Sequence, residues 1–222
     1  GDDVFWSGVG RYLDKHRGGV VETRDLMRAL EDASGMSLEQ AFEQGVHRGG
    51  HPRLDVTISH EDDLLVVAVK QSVDSGKAPF ALDLELDIAF GKGKPERATR
   101  RITKSQHTFA FRAKERPRYV VVDPRLRVIG RVAVKQPADM WRHQLAEAPT
   151  GRGRVLAAGA LGKRDDPASI DALASALKSG RVFWGARAAA ARALGNIRSQ
   201  AAFDVLAAAV RIKRPKGRRA VA

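Results

Sequence analysis

The 222 residues contain no cysteine. That absence excludes a disulfide frame, a thiolate metal site and a cysteine nucleophile. It also fits a reducing compartment, so a cytoplasmic location is expected. No apolar run approaches the ~20 residues that a membrane-spanning helix needs, and no membrane partner is expected. Aromatic residues make up only 6% of the chain. Phe80, Phe90, Phe109 and Phe111 fall on the apolar side of alternating runs, whereas single-strand nucleic-acid binders expose aromatics beside their cations. The net charge of +13 therefore reads as an arginine-rich solvated surface. The charge is unevenly spread. Residues 1–47 carry nine acidic and five basic groups, residues 92–118 carry ten basic and two acidic, and Arg211 to Arg219 holds six basic and none acidic. These runs keep a basic nucleic-acid binder as an alternative, although nucleic acid is not the expected partner.

A complete active site is missing too. His16, His47, His51, His60, His107 and His143 are the histidines, and His47 and His51 are the only close pair. A spacing of four would place two zinc ligands on one helix face, but Gly49, Gly50 and Pro52 interrupt any helix there. A turn with two surface histidines is expected instead. Gly91-Lys92-Gly93-Lys94 lacks the Ser/Thr of a phosphate-binding loop and runs into Pro95, so it reads as a hairpin turn. Gly151-Arg152-Gly153-Arg154 reads as a linker or the start of the helical repeats. Ser7 and Ser72 have no His/Asp arrangement beside them. No catalytic, cofactor-binding or metal-binding residue is assigned.

What is present is organised around Phe80 to Phe90, FALDLELDIAF. Leu82, Leu84, Leu86, Ile88 and Phe90 alternate with Asp83, Glu85 and Asp87, the period of a half-buried strand. The three carboxylates fall on its polar face, where Lys and Arg opposite are the expected partners. Before it, residues 1–50 read as three short helices. Phe5, Val9, Tyr12 and Leu13 form one apolar stripe, Thr23 is the expected N-cap of the second helix, and Gly35 its stop. Ser37 to Gln40 fits a capping box, and Leu38, Phe42 and Val46 a further stripe. Residues 51–136 read as seven short strands, from Leu54–Ser59, Leu64–Gln71 and Phe80–Phe90 through Ala98–Thr103, an edge strand, to Thr108–Arg112, Tyr119–Asp123 and Val128–Val134. Turns at Asp74-Ser75-Gly76 and at Asp123-Pro124 separate them, the pattern of an antiparallel β-sandwich.

Residues 137–222 are alanine-rich and repeat. Ala158 to Gly162 recurs as Ala191 to Gly195, and Ala168–Leu177 recurs as Ala201–Val210, both 33 residues on; Arg219 to Ala222 restarts the Arg187–Ala190 segment. Paired helices at such a period make an α-solenoid of HEAT-like type. The fold class is therefore multi-domain α+β: helical segment, seven-stranded antiparallel β-sandwich, HEAT-like solenoid. Trp6, Trp141 and Trp184 are expected to anchor junctions between these parts. The chain starts with Gly and ends on what reads as the opening of a helix, so it is expected to be a piece of a longer chain.

The order of pieces resembles a known family. Phe5-Trp6, Tyr12-Leu13 and His16, then Thr23, Asp25-Leu26, Leu30-Glu31 and Ser34-Gly35, then Leu38, Phe42 and Gln44, then Gly50-His51-Pro52, Leu54 and Val56 resemble the end of the catalytic domain of aminopeptidase N-like zinc metallopeptidases. Val120-Val121-Val122-Asp123-Pro124 resembles a strand end of that family's sandwich. Gly45 stands where the family usually has Trp, and His51 where it has an aromatic residue. The resemblance implies a longer hydrolase that removes N-terminal residues from peptides, with zinc held by two His and a Glu that lie upstream of Gly1. It implies no cofactor within this chain. The implied partners are the longer chain's own catalytic domain and its peptide substrates, with this part bracing that domain and covering the cleft. A scaffold or protein-interaction module of the same architecture without peptidase activity is the alternative.

Overall fold

The computed structural model describes residues 1–74, 77–91 and 93–210. The chain divides into two compact units, Gly1–Gly50 and His51–Ala222.

The first unit holds helices α1 (Asp2–Lys15), α2 (Thr23–Ser34) and α3 (Glu39–Phe42), the last running into a π-helical turn, Glu43–His47. The cap of α2 is Glu22, one residue earlier than expected. Its backbone N–H donates to Asp25 Oδ2 at 2.9 Å while its own side chain accepts from the first turn, a reciprocal capping box. A carboxylate placed one residue earlier reaches the same orphan N–H groups as a threonine hydroxyl. Gly35 ends α2 at φ +66, the left-handed conformation that glycine adopts without strain. The expected Ser37–Gln40 box does not form: α3 starts at Glu39 after Leu38 without a side-chain cap. The α1 stripe is not covered either. Gly8 is the buried residue of α1, and a Cβ there would stand 2.8 Å from the Leu30 side chain, while Phe5 and Leu13 stay exposed.

The second unit begins with seven strands among the described residues: β1 (Arg53–Glu61), β2 (Leu64–Ser72), β3 (Leu82–Ala89), β4 (Glu96–Ile102), β5 (Gln106–Arg112), β6 (Tyr119–Val122) and β7 (Arg131–Lys135). They form two sheets, ordered β5-β2-β1-β7 and β4-β3-β6. Leu54, Val56 and Ile58 of β1 and Leu65, Val67 and Val69 of β2 share one core with Leu84, Leu86 and Ile88 of β3 and Val120 and Val122 of β6. β4 lies at a sheet edge, as its polar sequence suggests. Asp62 and Asp63, at φ 46 and 59, make the two-residue turn between β1 and β2. Ser75, Gly76 and Lys92, within two of the expected turns, lie outside the described residues, as does the basic run after Val210.

One expectation needs correction: the strands are not all antiparallel, because β7 pairs with β1 in parallel. The reason is at the strand starts. Arg131 N–H donates to Pro52 O at 3.0 Å, setting the two beginnings side by side. Gly130 permits it, since a Cβ there would meet Pro52 O at 2.4 Å. Alternation in the sequence reports which face a residue takes, not the direction of its neighbour.

Five helices follow: α4 (Ala138–Glu147), α5 (Gly151–Leu161), α6 (Pro167–Lys178), α7 (Trp184–Ile197) and α8 (Gln200–Val210). The 33-residue period is visible in the packing. Leu161 and Leu194 occupy equivalent buried positions, and Arg154 and Arg187 equivalent caps. Arg154 Nε donates to Ala148 O at 2.7 Å and Arg187 Nε to Leu177 O at 3.0 Å. Each guanidinium thus satisfies carbonyls left over at or just beyond the end of a preceding helix. Gly162 lets α5 approach α7, for a Cβ there would lie 2.8 Å from Ala193 Cα. Restart of the pattern at Arg219 falls outside the described residues.

Candidate functional site at the sheet–repeat junction

The second unit concentrates its buried polar groups where the three-stranded sheet meets the first repeat helices. The inner face of β3 is apolar, but its outer face is buried as well, with Glu85, Asp87 and Ala89 all shielded. Sequence alternation marks that face as polar and does not show that it is covered. The covering layer is helical: Ala89, Tyr119 and Val121 pack with Ala148, at the end of α4.

Each carboxylate of β3 has found an arginine. Asp83 meets Arg101 at 3.2 Å, its register partner in β4. Asp87 is held by Arg97 through Nε at 2.7 Å and Nη2 at 2.9 Å, again directly across the strand pair. Glu85 takes a different partner, since Thr99 stands opposite it in β4. Arg125, from the turn after β6, reaches back to bind it bidentately, with Nε at 2.8 Å. Arg127 adds a second cation at 3.5 Å. The Arg125 hydrogen bonds hold the Glu85 carboxyl below its ordinary range against the opposing effect of burial.

That turn is shaped by Asp123. It adopts φ 49, a conformation tolerated by Asp because its side chain bonds the local backbone. Oδ1 accepts from the N–H groups of Arg127 at 2.7 Å and Val128 at 3.4 Å. From the repeat side, Arg152 Nη1 donates to Asp123 O at 2.9 Å, and its Nη2 stands 3.9 Å from Oδ2. Arg118, just before β6, grips Glu147 in the last turn of α4 with Nε at 2.7 Å and with Nη2, which also donates to His143 Nδ1 at 3.0 Å. Burial, then the charge of Glu147, pushes the neighbouring Tyr119 hydroxyl up. A neutral chain runs through the same junction. Val120 N–H donates to Gln136 Oε1, Gln136 Nε2 to Gln144 Oε1 at 2.8 Å, and Gln144 Nε2 to Gly153 O at 2.8 Å.

Internal ion pairs take up four of the ten cations in the basic run before β6. Arg97, Arg101, Arg116 and Arg118 are all paired with carboxylates of the same unit. A guanidinium committed to an internal carboxylate is not free to neutralise phosphates. The arrangement positions and rigidifies; it brings no nucleophile, base and oxyanion donors together.

The family described as HEAT repeats matches residues 138–222. Aminopeptidase 2 of Candida albicans is 31% identical over 93 residues, which are 38% of this chain and 10% of that protein. Tricorn protease-interacting factor F2 of Thermoplasma acidophilum is 36% identical over 59 residues, 27% of this chain and 8% of that one. The crystal structure of Legionella pneumophila aminopeptidase A in complex with aspartic acid superposes on 88% of this chain and 25% of its own, with a TM-score of 0.69 at 15% identity. Over part of its sequence and in its fold, the chain is similar to aminopeptidases.

The chain spans a quarter of that solved structure, and the matched stretches about a tenth of the curated relatives. Among its described residues no group of three His, Cys, Asp or Glu could hold a metal, so the zinc implied by the family resemblance has no fitting donor set here. His47 lies in the π-helical turn and His51 in the extended segment before β1. His16 caps α1, Ser7 sits within α1, and Ser72 ends β2. Of the two readings of Gly151 to Arg154, linker or start of helical repeat, the structure gives helix: it is the first turn of α5, where Thr150 Oγ1 accepts from Gly153 N–H at 3.1 Å. Of the tryptophans only Trp141 is a buried anchor; Trp6 and Trp184 are each 65% exposed. Trp184 is the first residue of α7, and its indole projects from the helix start. Arg125 and Arg152 are the junction residues the sequence reading missed. Their signal was weak: Arg125 directly follows the Asp123-Pro124 corner, whereas Arg152 stands 29 residues beyond Asp123.

Proposed function

We propose that the chain is a noncatalytic part of a zinc-dependent aminopeptidase that removes N-terminal residues from peptides. In this reading the zinc and the catalytic domain belong to the longer protein, and peptides are that protein's substrates. The two sheets act as a sandwich-like brace for the catalytic domain, and the helical repeats cover the substrate cleft. The three-part division at residues 50 and 136 is the division of labour we infer, with the work located in the cytoplasm. The observation that supports it best is the junction: the side chains of Arg118, Glu147, Asp123, Arg152, Gln136 and Gln144 fix the first repeat helices to the sheet, as a rigid cover requires.

The test uses this chain purified alone and within its full-length protein. The chain alone is expected to hydrolyse no aminoacyl-anilide, with or without added zinc. In the full-length protein, Arg118→Ala with Arg152→Ala is expected to raise KM for long peptides more than for an aminoacyl-anilide. Hydrolysis by the isolated chain that a chelator abolishes would overturn the assignment. A second reading, a protein-interaction scaffold without peptidase activity, draws on the exposed Phe183–Trp184 pair at 5.4 Å on the repeats. A full-length protein inactive on every aminoacyl-anilide would favour it.

A further inference from the structure

The two sheets are joined at one edge by the short β4–β5 connection, because β4 belongs to the three-stranded sheet and β5 to the four-stranded one. The turn of that connection is built on a histidine. Thr103 N–H and Lys104 N–H both donate to His107 Nε2, each at 3.0 Å. A backbone N–H can only donate, so Nε2 must present its lone pair, and the ring proton must sit on Nδ1. The imidazole is further fixed by stacking on Phe109 at 5.4 Å and 11°. The turn is tied into the interior on its other side: Ser105 O accepts from Gln71 N–H at 2.7 Å, and the Gln71 side chain bonds both N–H and O of Phe80.

His60 gives the opposite case in the same unit. Its Nε2 lies 2.8 Å from Ala113 O, which can only accept, so this ring carries its proton on Nε2. Taking up a second proton leaves that bond intact. At His107 the second proton occupies the lone pair that both turn amides need. The geometry points to His107 as an acid-sensitive latch on the link between the sheets: the neutral ring closes the Thr103–Ser105 turn, and the imidazolium releases it. The groups facing the ring are Val69, its register partner in β2, Phe109, and the turn residues Thr103 and Lys104. Lys104 is the titratable one among these, and its positive charge does nothing to hold an imidazolium in place.

Nitrogen-15 spectra of the histidine rings and amide hydrogen exchange decide the matter. At alkaline pH, His107 is expected in the Nδ1–H form and His60 in the Nε2–H form. As His107 takes up its proton, protection of the Thr103 and Lys104 amides, corrected for intrinsic exchange, is expected to fall about tenfold, the loss expected for two modest hydrogen bonds. In His107→Phe, which keeps a ring against Phe109 but offers no acceptor, protection should be low at every pH. A neutral His107 protonated on Nε2, or amide protection that ignores its titration, would overturn the latch. The wild-type spectra alone suffice if the variant does not fold.

Discussion

Gln136 and Gln144 meet at 2.8 Å in the buried junction and form the middle link of a hydrogen-bonded chain from β6 to α5. Both side chains are nearly inaccessible, so an amide left without its partner cannot turn to water. Gln144→Leu removes the acceptor of Gln136 and the donor to Gly153 O, and is expected to cost about 2–3 kcal/mol. Gln136→Leu together with Gln144→Leu should cost less than the sum of the two, since the pair then has no orphan between its members. Urea denaturation of the four proteins in the cycle measures this.

Glu85 is expected to be the most sensitive carboxylate of the sheet. Glu85→Gln keeps the shape but loses the charge that Arg125 and Arg127 close upon, and should destabilise the second unit by about 2 kcal/mol. Glu85→Leu tests whether an apolar side chain serves as well under the same helices.

The pH dependence follows from the same residue. The folded-state value of Glu85 lies below its ordinary value near 4.5, mainly through Arg125. Its contribution is therefore complete above that value and fades as pH falls through the folded value. Asp166 acts in the same sense, held low first by Ser169 Oγ–H and then by the Ser169 N–H. Denaturation midpoints recorded from pH 7 down to pH 3 should fall more steeply for the wild type than for Glu85→Gln.

Asp166 also has a separable local role as the cap of α6, accepting from Ser169 N–H at 2.9 Å with Pro167 in the first turn. Asp166→Ala is expected to cost about 1 kcal/mol, and Asp166→Asn much less. Calorimetry of both variants separates loss of the cap from loss of charge.

Gly162→Ala addresses the repeat packing. Its new Cβ would lie 2.8 Å from the backbone of Ala193, which cannot swing away, so α5 and α7 must part. A cost of about 1–3 kcal/mol is expected, against almost none for Gly159→Ala, where the space is open. The two melting curves, compared side by side, test the close approach.

Much of this architecture was legible because periodicity is a local property. The alternation at Phe80 to Phe90 marked β3 within two residues at its start and one at its end, and the 33-residue recurrence marked the repeat helices. What escaped depends on distant parts of the chain. Nothing in Asp83-Leu84-Glu85-Leu86-Asp87 says that a helix pair will cover its polar face, or that Glu85 will take an arginine 40 residues away. The parallel partnership of β7 rests on Gly130 beside Pro52, a contact made only after folding. In the first unit, periodicity misled: Phe5 and Leu13 share a face of α1, yet that face stays exposed.

The bond between Gln136 and Gln144 gives a practical rule for anyone cutting this gene. A break at residue 136, where the composition changes, would strip the lid from Tyr119 and Val121 and leave three arginines and a glutamine grasping at nothing. The workable seam is before His51, where the chain passes from one compact unit to the next.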